Sequence, residues 1–261
     1  MLIFFDIDGT LWDYRNYIPK STEDAIKRAR ANGHKCFINT GRARAYVRSE
    51  KLLSLGFDGI VSACGCMIEY DGRVILNHLV SREDALRTME SIRRNGLKPI
   101  LEGPEHLYID TGDFKGNMYV EKVMREIGHS VLGITDNWGS WRMNKLSCDF
   151  RDSDNERCFG ELSDIYTYMV LDEHDEKVVE MVPKGYDKGT GILALCDLFN
   201  MDPKDTMAFG DSVNDREMLE VAGISVAMGR SDDKVREICD HTTDLLERDG
   251  ISKAMEKYGI I

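Results

Sequence analysis

The sequence predicts an α/β protein whose parallel-sheet core is interrupted by an inserted α+β region. Three observations lead there. An unbroken apolar run, Leu2–Phe5, opens the chain and stops abruptly at Asp6-Ile7-Asp8-Gly9-Thr10, the pattern of a strand buried on both faces. A strand-helix-strand rhythm follows and returns after Pro183. Between these stretches the pattern changes to short paired strands with two helical segments.

Asp6 falls at the carboxyl end of the first strand, the edge at which open α/β sheets place ligands. If strand geometry runs one residue further, Asp6 and Asp8 point to one side. Two carboxylates held close repel unless a cation or proton lies between them, so the pair asks for a metal. Leu11–Pro19 reads as a loop with Trp12, Tyr14 and Tyr17, a candidate flap. Ser21–Asn32 reads as a helix with Ser21 as N-cap and Gly33 past its end. His34–Asn39 is the second strand, ending in Thr40-Gly41-Arg42, which brings a hydroxyl and a glycine to the edge of Asp6. A helix over Ala43–Leu55 and a strand near Gly59–Ser62 come next. Met67–Tyr70 and Val74–Leu76 flank Asp71-Gly72, a strong hairpin signal.

Ser81 opens a helix to about Asn95 with capping-box spacing to Asp84. Lys98–Leu101 and His106–Asp110 read as paired strands, Gly116–Ile127 as a helix, Leu146–Phe150 as a strand and Asn155–Ser163 as a helix. Ile165–Leu171 and Lys177–Val182 read as a hairpin over Asp172–Asp175. Lys184-Gly185-Tyr186-Asp187-Lys188-Gly189-Thr190-Gly191 precedes a helix to Phe199, and Thr206–Phe209 is a buried strand ending in Gly210-Asp211-Ser212-Val213-Asn214-Asp215. A helix over Arg216–Val221, a last strand at Ile224–Met228 and two helices complete the chain.

Composition narrows the function classes. A net charge of −12 over 261 residues leaves no basic excess with which to neutralise nucleic-acid phosphates or an anionic membrane. No apolar run approaches a membrane span and the amino terminus lacks a signal-peptide pattern, so the expectation is a cytoplasmic protein without membrane or nucleic-acid partner, a monomer or homodimer. Seven scattered cysteines suit reduced core thiols, and Cys64-Gly65-Cys66 without a second pair is a poor zinc site.

Two strand ends carry acids. Asp211 and Asp215 repeat the signature of Asp6 and Asp8, and together these four offer hard oxygen ligands suited to Mg²⁺. Each motif alone is often a polar turn or helix cap; two in one α/β chain are far less expected by chance. Lys188 stands in a first helical turn, where the helix dipole disfavours a cation, so a nearby anion would explain it. Lys184 is the internal control, expected to be exposed.

Asp6-Ile7-Asp8-Gly9-Thr10, Thr40, Lys188 and Gly210-Asp211-x-x-Asn214-Asp215, in that order, resemble the four motifs of the haloacid dehalogenase (HAD) superfamily of phosphatases, across essentially the whole chain. The long interval between Thr40 and Lys188 resembles the Cof-like branch with a C2B-type cap. The resemblance implies a Rossmann-like parallel sheet core at 1–80 and 183–261 and an α+β cap at 81–182. It implies Mg²⁺-dependent hydrolysis of a small phosphorylated metabolite, a sugar phosphate or similar phosphomonoester, through an aspartyl-phosphate. Asp6 would be the nucleophile and Asp8 the general acid and base. The ion would be held by the Asp6 side chain, the Asp8 backbone carbonyl and Asp211, with Asp215 a direct ligand or just behind one. Thr40, Gly41 and Lys188 would bind the phosphoryl oxygens, and Asn214 would orient Lys188 or the phosphate.

Two stretches depart from the family pattern. Ala63-Cys64-Gly65 stands where Asn-Gly is usual, and Arg230-Ser231 where Asn-Ala is common, which bears on substrate rather than on the catalytic set. Candidate substrate selectors are Arg44, Glu102, Tyr108, Trp138, Trp141 and Arg142. The competing readings are a sugar phosphomutase, which would pass the phosphoryl group to a second hydroxyl, and a non-catalytic binder of phosphorylated metabolites.

Overall fold

The computed structural model describes residues 1–150, 155–173 and 176–261. In chain order the elements are β1 (Leu2–Phe5), α1 (Lys20–Ala31), β2 (Lys35–Asn39), α2 (Glu50–Leu53), β3 (Gly59–Ser62), β4 (Met67–Tyr70), β5 (Arg73–Asn77), α3 (Arg82–Asn95), β6 (Lys98–Glu102), β7 (Leu107–Tyr108), α4 (Met118–Ile127), β8 (Val131–Leu132), β9 (Lys145–Asp149), α5 (Asn155–Glu161), β10 (Tyr166–Glu173), β11 (Glu176–Pro183), α6 (Lys188–Phe199), β12 (Thr206–Gly210), α7 (Arg216–Val221), β13 (Ile224–Ala227), α8 (Asp233–Ile238), β14 (His241–Thr242) and α9 (Gly250–Lys257). They fall into two compact units: Met1–Gly41, Ser49–Leu76 and Tyr186–Ile261 in the first, Arg42–Arg48 and Asn77–Gly185 in the second.

Among the described residues the first unit's sheet has the order β14-β13-β12-β1-β2-β3-β4-β5. It is parallel from β14 to β3, then antiparallel at β4. The α/β reading therefore holds. β1 is central and wholly buried, as its continuous apolar run requires. One face carries Leu2, Phe4 and Phe37 against Ile192, Leu195 and Cys196 of α6 and Met218 and Leu219 of α7. The turn between β4 and β5 has Asp71 and Gly72 both at positive φ, 48° and 71°, the conformation that suits a tight hairpin and that glycine adopts without penalty.

The second unit is built on a sheet of order β10-β11-β9-β6-β7-β8, antiparallel except for β7 beside β8. One apolar cluster joins Ala85, Met89 and Ile92 of α3 to Leu101, Leu146 and Val179 of the strands. Another gathers Ile100 and Leu107 with Val120, Val123 and Ile127 of α4.

Several expectations change. The helix expected over Ala43–Leu55 is a short 3-10 turn at Arg44–Tyr46 and the brief α2, because Ala43, Ala45 and Tyr46 are buried in the second unit's cluster with Ile100 and Phe114, not spaced along one helix face. The first helix starts at Lys20, with Pro19 rather than Ser21 at the N-cap position, where proline's fixed φ suits a helix start. Ser81 caps α3 as expected, accepting a hydrogen bond from the Asp84 backbone N–H at 3.0 Å. The strands β8 and β14 have no counterpart in the sequence pattern, since two residues each carry no periodicity to read. The centre of the hairpin turn expected at Asp172–Asp175 lies outside the described residues.

Phe37 is fully buried, stacks on Phe4 at 5.5 Å and also meets Tyr70 and Phe199. Phe37→Ala is expected to cost about 3–5 kcal/mol of unfolding free energy, read as a fall in the urea midpoint. A loss below about 1 kcal/mol would show that this cluster does not hold the sheet to α6.

Candidate active site at the carboxyl edge of the first sheet

β1 pairs with β12 on one side and β2 on the other, with Phe5 opposite both Phe209 and Ile38. Asp6, Asp211 and Thr40 therefore follow the ends of neighbouring parallel strands at one edge. The Asp6 backbone N–H donates to Phe209 O at 3.0 Å, continuing the ladder one residue beyond the strand. Thr10 Oγ1 donates to Asp211 Oδ1 at 3.0 Å. Gly9 turns at φ +82°, and a Cβ placed there would meet Asp211 Oδ2 at 2.2 Å, so a side chain at position 9 would be strained and would displace the Asp211 carboxylate.

Asp187 caps α6: its Oδ1 accepts the Thr190 backbone N–H at 2.6 Å while its own N–H donates to Thr190 Oγ1 at 2.9 Å. That places Lys188 at the first helical position, buried to 1 % exposure. Its Nζ lies 2.7 Å from Asp6 Oδ1, 2.6 Å from Asp215 Oδ1 and 3.4 Å from Asn214 Oδ1. Burial works against the ammonium, but Asp215 and Asp6 outweigh it, and Lys188 stays protonated well above the ordinary range of lysine. Lys184, by contrast, is exposed.

Asp215 is held from the other side as well, its Oδ2 accepting the backbone N–H groups of Asp211 at 2.9 Å and Ser212 at 3.1 Å. Asn214 Oδ1 accepts from Ser212 Oγ at 2.6 Å. Thr40 is buried, its N–H donating to Val61 O at 2.9 Å and its carbonyl accepting from Cys64 N at 3.2 Å; Gly41 follows, half-buried.

Carboxylate oxygens of Asp6, Asp211 and Asp215 all lie within 4.8 Å of one another. Three acids around one ammonium leave an excess of negative charge in a buried place. Burial, then the charge of Asp215, pushes Asp6 up to about 7 despite Lys188. Burial, then Asp6 and Asp215, pushes Asp211 up to about 8. A hard divalent cation such as Mg²⁺ matches this oxygen set and this uncompensated charge.

The haloacid dehalogenase-like hydrolase family matches residues 3–255. The chain belongs to that family. Among its relatives, YkrA of Bacillus subtilis is 27 % identical over 277 residues, covering 100 % of this chain and 98 % of YkrA. YitU of the same organism, named 5-amino-6-(5-phospho-D-ribitylamino)uracil phosphatase, is 25 % identical, covering 98 % of this chain and 97 % of YitU. The solved structure of BT4131, described as a HAD subclass IIB sugar phosphatase, superposes with a TM-score of 0.83 at 26 % identity, covering 100 % of this chain and 99 % of that one.

In this HAD-like hydrolase Asp8, expected to offer an ion its backbone carbonyl, has a carboxylate outside the group formed by Asp6, Asp211 and Asp215 among the described residues. It is exposed, and the Trp12 indole N–H donates to its Oδ1 at 3.0 Å. Past Asp6 the chain leaves the ladder: Leu11 and Trp12 both donate to Ile7 O, so residues 7–12 form a turn rather than a continuation of β1.

The candidate selectors separate. Trp141 and Tyr108 are core residues of the second unit. Trp138 is partly exposed with Arg93 over its ring at 4.0 Å. Arg44 Nη1 donates to Val47 O at 2.6 Å, and Arg142 pairs with Glu105 at the surface. Glu102 is buried and accepts from Lys145 Nζ at 3.0 Å.

Sequence reading passed over two residues that shape the site. Asn39 Nδ2 donates to Lys188 O at 2.8 Å, fixing the start of α6 to the end of β2; a buried polar residue ending an apolar strand was the available signal. Trp12 was assigned to a flap, yet it is 3 % exposed while Tyr14 is 75 % exposed.

Folded Asp6 and Asp211 hold their protons up to about pH 7 and 8, whereas an unfolded chain releases them near pH ~4. In metal-free protein their contribution to stability is therefore greatest at low pH and is lost as pH rises through that window. Mg²⁺ at about 100 times its Kd is expected to stabilise the protein by about 2.7 kcal/mol near pH ~8. Differential scanning fluorimetry should show that gain shrinking near pH ~5.5, where protons compete, and vanishing in Asp211→Asn. An undiminished gain in that variant would move the ion elsewhere.

Proposed function

We propose that the chain is a Mg²⁺-dependent phosphatase that hydrolyses a small phosphorylated metabolite, a sugar phosphate or similar phosphomonoester, through an aspartyl-phosphate. The observation that carries this reading is the buried Lys188 ammonium between Asp6 and Asp215 beside Asp211, a cation and a carboxylate group at one sheet edge. The names of YitU and BT4131, both phosphatases of polyhydroxylated phosphate esters, support the substrate class.

Asp6 is the nucleophile. Its carboxylate oxygen forms a bond to phosphorus as the bond from phosphorus to the substrate oxygen breaks, and Asp8, protonated, delivers its proton to that leaving oxygen. The product alcohol departs, leaving an aspartyl-phosphate and an Asp8 carboxylate. Water then attacks phosphorus, Asp8 takes one of its protons, and the bond to Asp6 breaks, releasing inorganic phosphate and restoring both side chains. Lys188 offers positive charge to the phosphoryl oxygens, with Thr40 and Gly41 supplying hydrogen bonds and Asn214 steadying the ammonium. Asp6, Asp211 and the Asp8 backbone carbonyl would hold Mg²⁺, with Asp215 beside them; when bound, the ion shields phosphate charge that otherwise repels Asp6. Asp215 already accepts from Lys188, Asp211 and Ser212 through its two oxygens, which suits it to hold the others in place. We assign the catalytic core to the first unit and a C2B-type cap that selects the substrate to the second, Arg42–Arg48 and Asn77–Gly185, in place of the sequence bounds 1–80, 183–261 and 81–182.

Release of inorganic phosphate from a panel of sugar phosphates, with Mg²⁺ and without a bisphosphate activator, tests the reading and separates it from a mutase. Asp6→Asn is expected to abolish release with a folded protein, and Asp8→Asn to lower kcat by about 10²–10⁴-fold. Near-normal release in either variant would refute the assigned roles.

A further inference from the structure

We infer that Trp12 is a positioning residue for Asp8, its indole N–H holding the carboxyl in the orientation from which it protonates the leaving oxygen; this rests on the acid–base role proposed above for Asp8. Asp6 and Asp215 are buried and clamped by Lys188, whereas Asp8 is exposed and its Oδ1 accepts from the Trp12 indole. An exposed aspartate samples several rotamers, and a general acid must hold one while the bond breaks.

Trp12 supplies that constraint. Its ring is 3 % exposed and so confined by packing. Its backbone closes the same turn: Gly9 N donates to Trp12 O at 2.9 Å and Trp12 N to Ile7 O at 3.1 Å, while Asp8 and Trp12 form a β-bridge. Indole Nε1, 3.0 Å from Asp8 Oδ1, is thus fixed at both ends of the side chain. An indole N–H only donates, so Oδ1 must accept whether Asp8 is the acid or the carboxylate. The transferred proton is thereby assigned to the other carboxyl oxygen, and the carboxyl keeps its orientation in both halves of the reaction.

The readout is dependence on the leaving group. An alkyl phosphate needs a proton at its departing oxygen, whereas 2,4-dinitrophenyl phosphate expels a stable anion without one. The parameter is kcat/KM, which covers the steps through leaving-group departure and excludes hydrolysis of the aspartyl-phosphate. Trp12→Phe keeps a ring and removes the N–H. It is expected to lower kcat/KM for the alkyl phosphate by about 10-fold or more and for the dinitrophenyl ester by less than about 3-fold. The ratio is taken within one preparation, so an incompletely folded fraction cancels. In an Asp8→Asn background the same substitution should add little, because the group it positions no longer transfers a proton.

If Trp12→Phe does not fold, benzothienylalanine at position 12, which replaces the N–H by sulfur in the same shape, should give the same ratio. Equal loss on both esters, or a full further loss in the Asp8→Asn background, would overturn the role of Trp12. Equal loss on both esters in Asp8→Asn itself would overturn the acid–base reading and Trp12's role with it. A leaving-group effect in Asp8→Asn that is absent in the Trp12 variants would sink the Trp12 inference alone.

Discussion

The buried ammonium of Lys188 adds a charge link to three segments that the sheet and the packing of α6 already bring to one edge. It is drawn from the first turn of α6, Asp6 from the end of β1 and Asp215 from the loop after β12. A lone charge at such depth carries a desolvation penalty of several kcal/mol, and removing either partner leaves the others uncompensated. The pairing is nonetheless unbalanced, since Asp211 joins the group with no ammonium of its own. The sheet edge therefore gathers more carboxyl groups than ammonium groups, a donor set that would suit a hard cation.

Strand order explains why the charge collects there. β1 has β2, its successor in the chain, on one side and β12, reached after the whole second unit, on the other. The chain thus departs from β1 in one direction and returns on the opposite side, which makes the carboxyl end of β1 a switch point where loops part and leave a crevice. Gly9 lets the first loop turn against Asp211, and the Asp187 cap starts α6 where Lys188 reaches inward. Each device is local, and each works because β1 holds the centre.

The second unit resolves a similar problem differently. Its sheet buries Lys145 with Glu102 and Glu180, and Ser147 donates to Glu102, while apolar clusters built from α3 and from α4 complete its core. In this cluster two acids face one base, on strands that pair directly at Lys145 and Glu102. That arrangement takes its order from strand register, whereas the first unit's site takes it from loops.

Sequence alone determined what short-range chemistry can fix: the buried strand ending in Asp6, the second acidic strand end at Asp211, the hairpin at Asp71-Gly72, the helix from Lys188 and the family to which their order belongs. Lys188 even carried a visible conflict with the helix dipole, which predicted an anion without saying which. Tertiary structure decided which anions answer it, sent Ala43–Tyr46 into the second unit's core instead of a helix, and set the Asp8 carboxylate against the indole of Trp12. Periodicity and turn signals describe the few residues around each position, whereas burial and charge pairing depend on distant partners, 182 residues apart for Asp6 and Lys188, and only the folded chain brings those within reach.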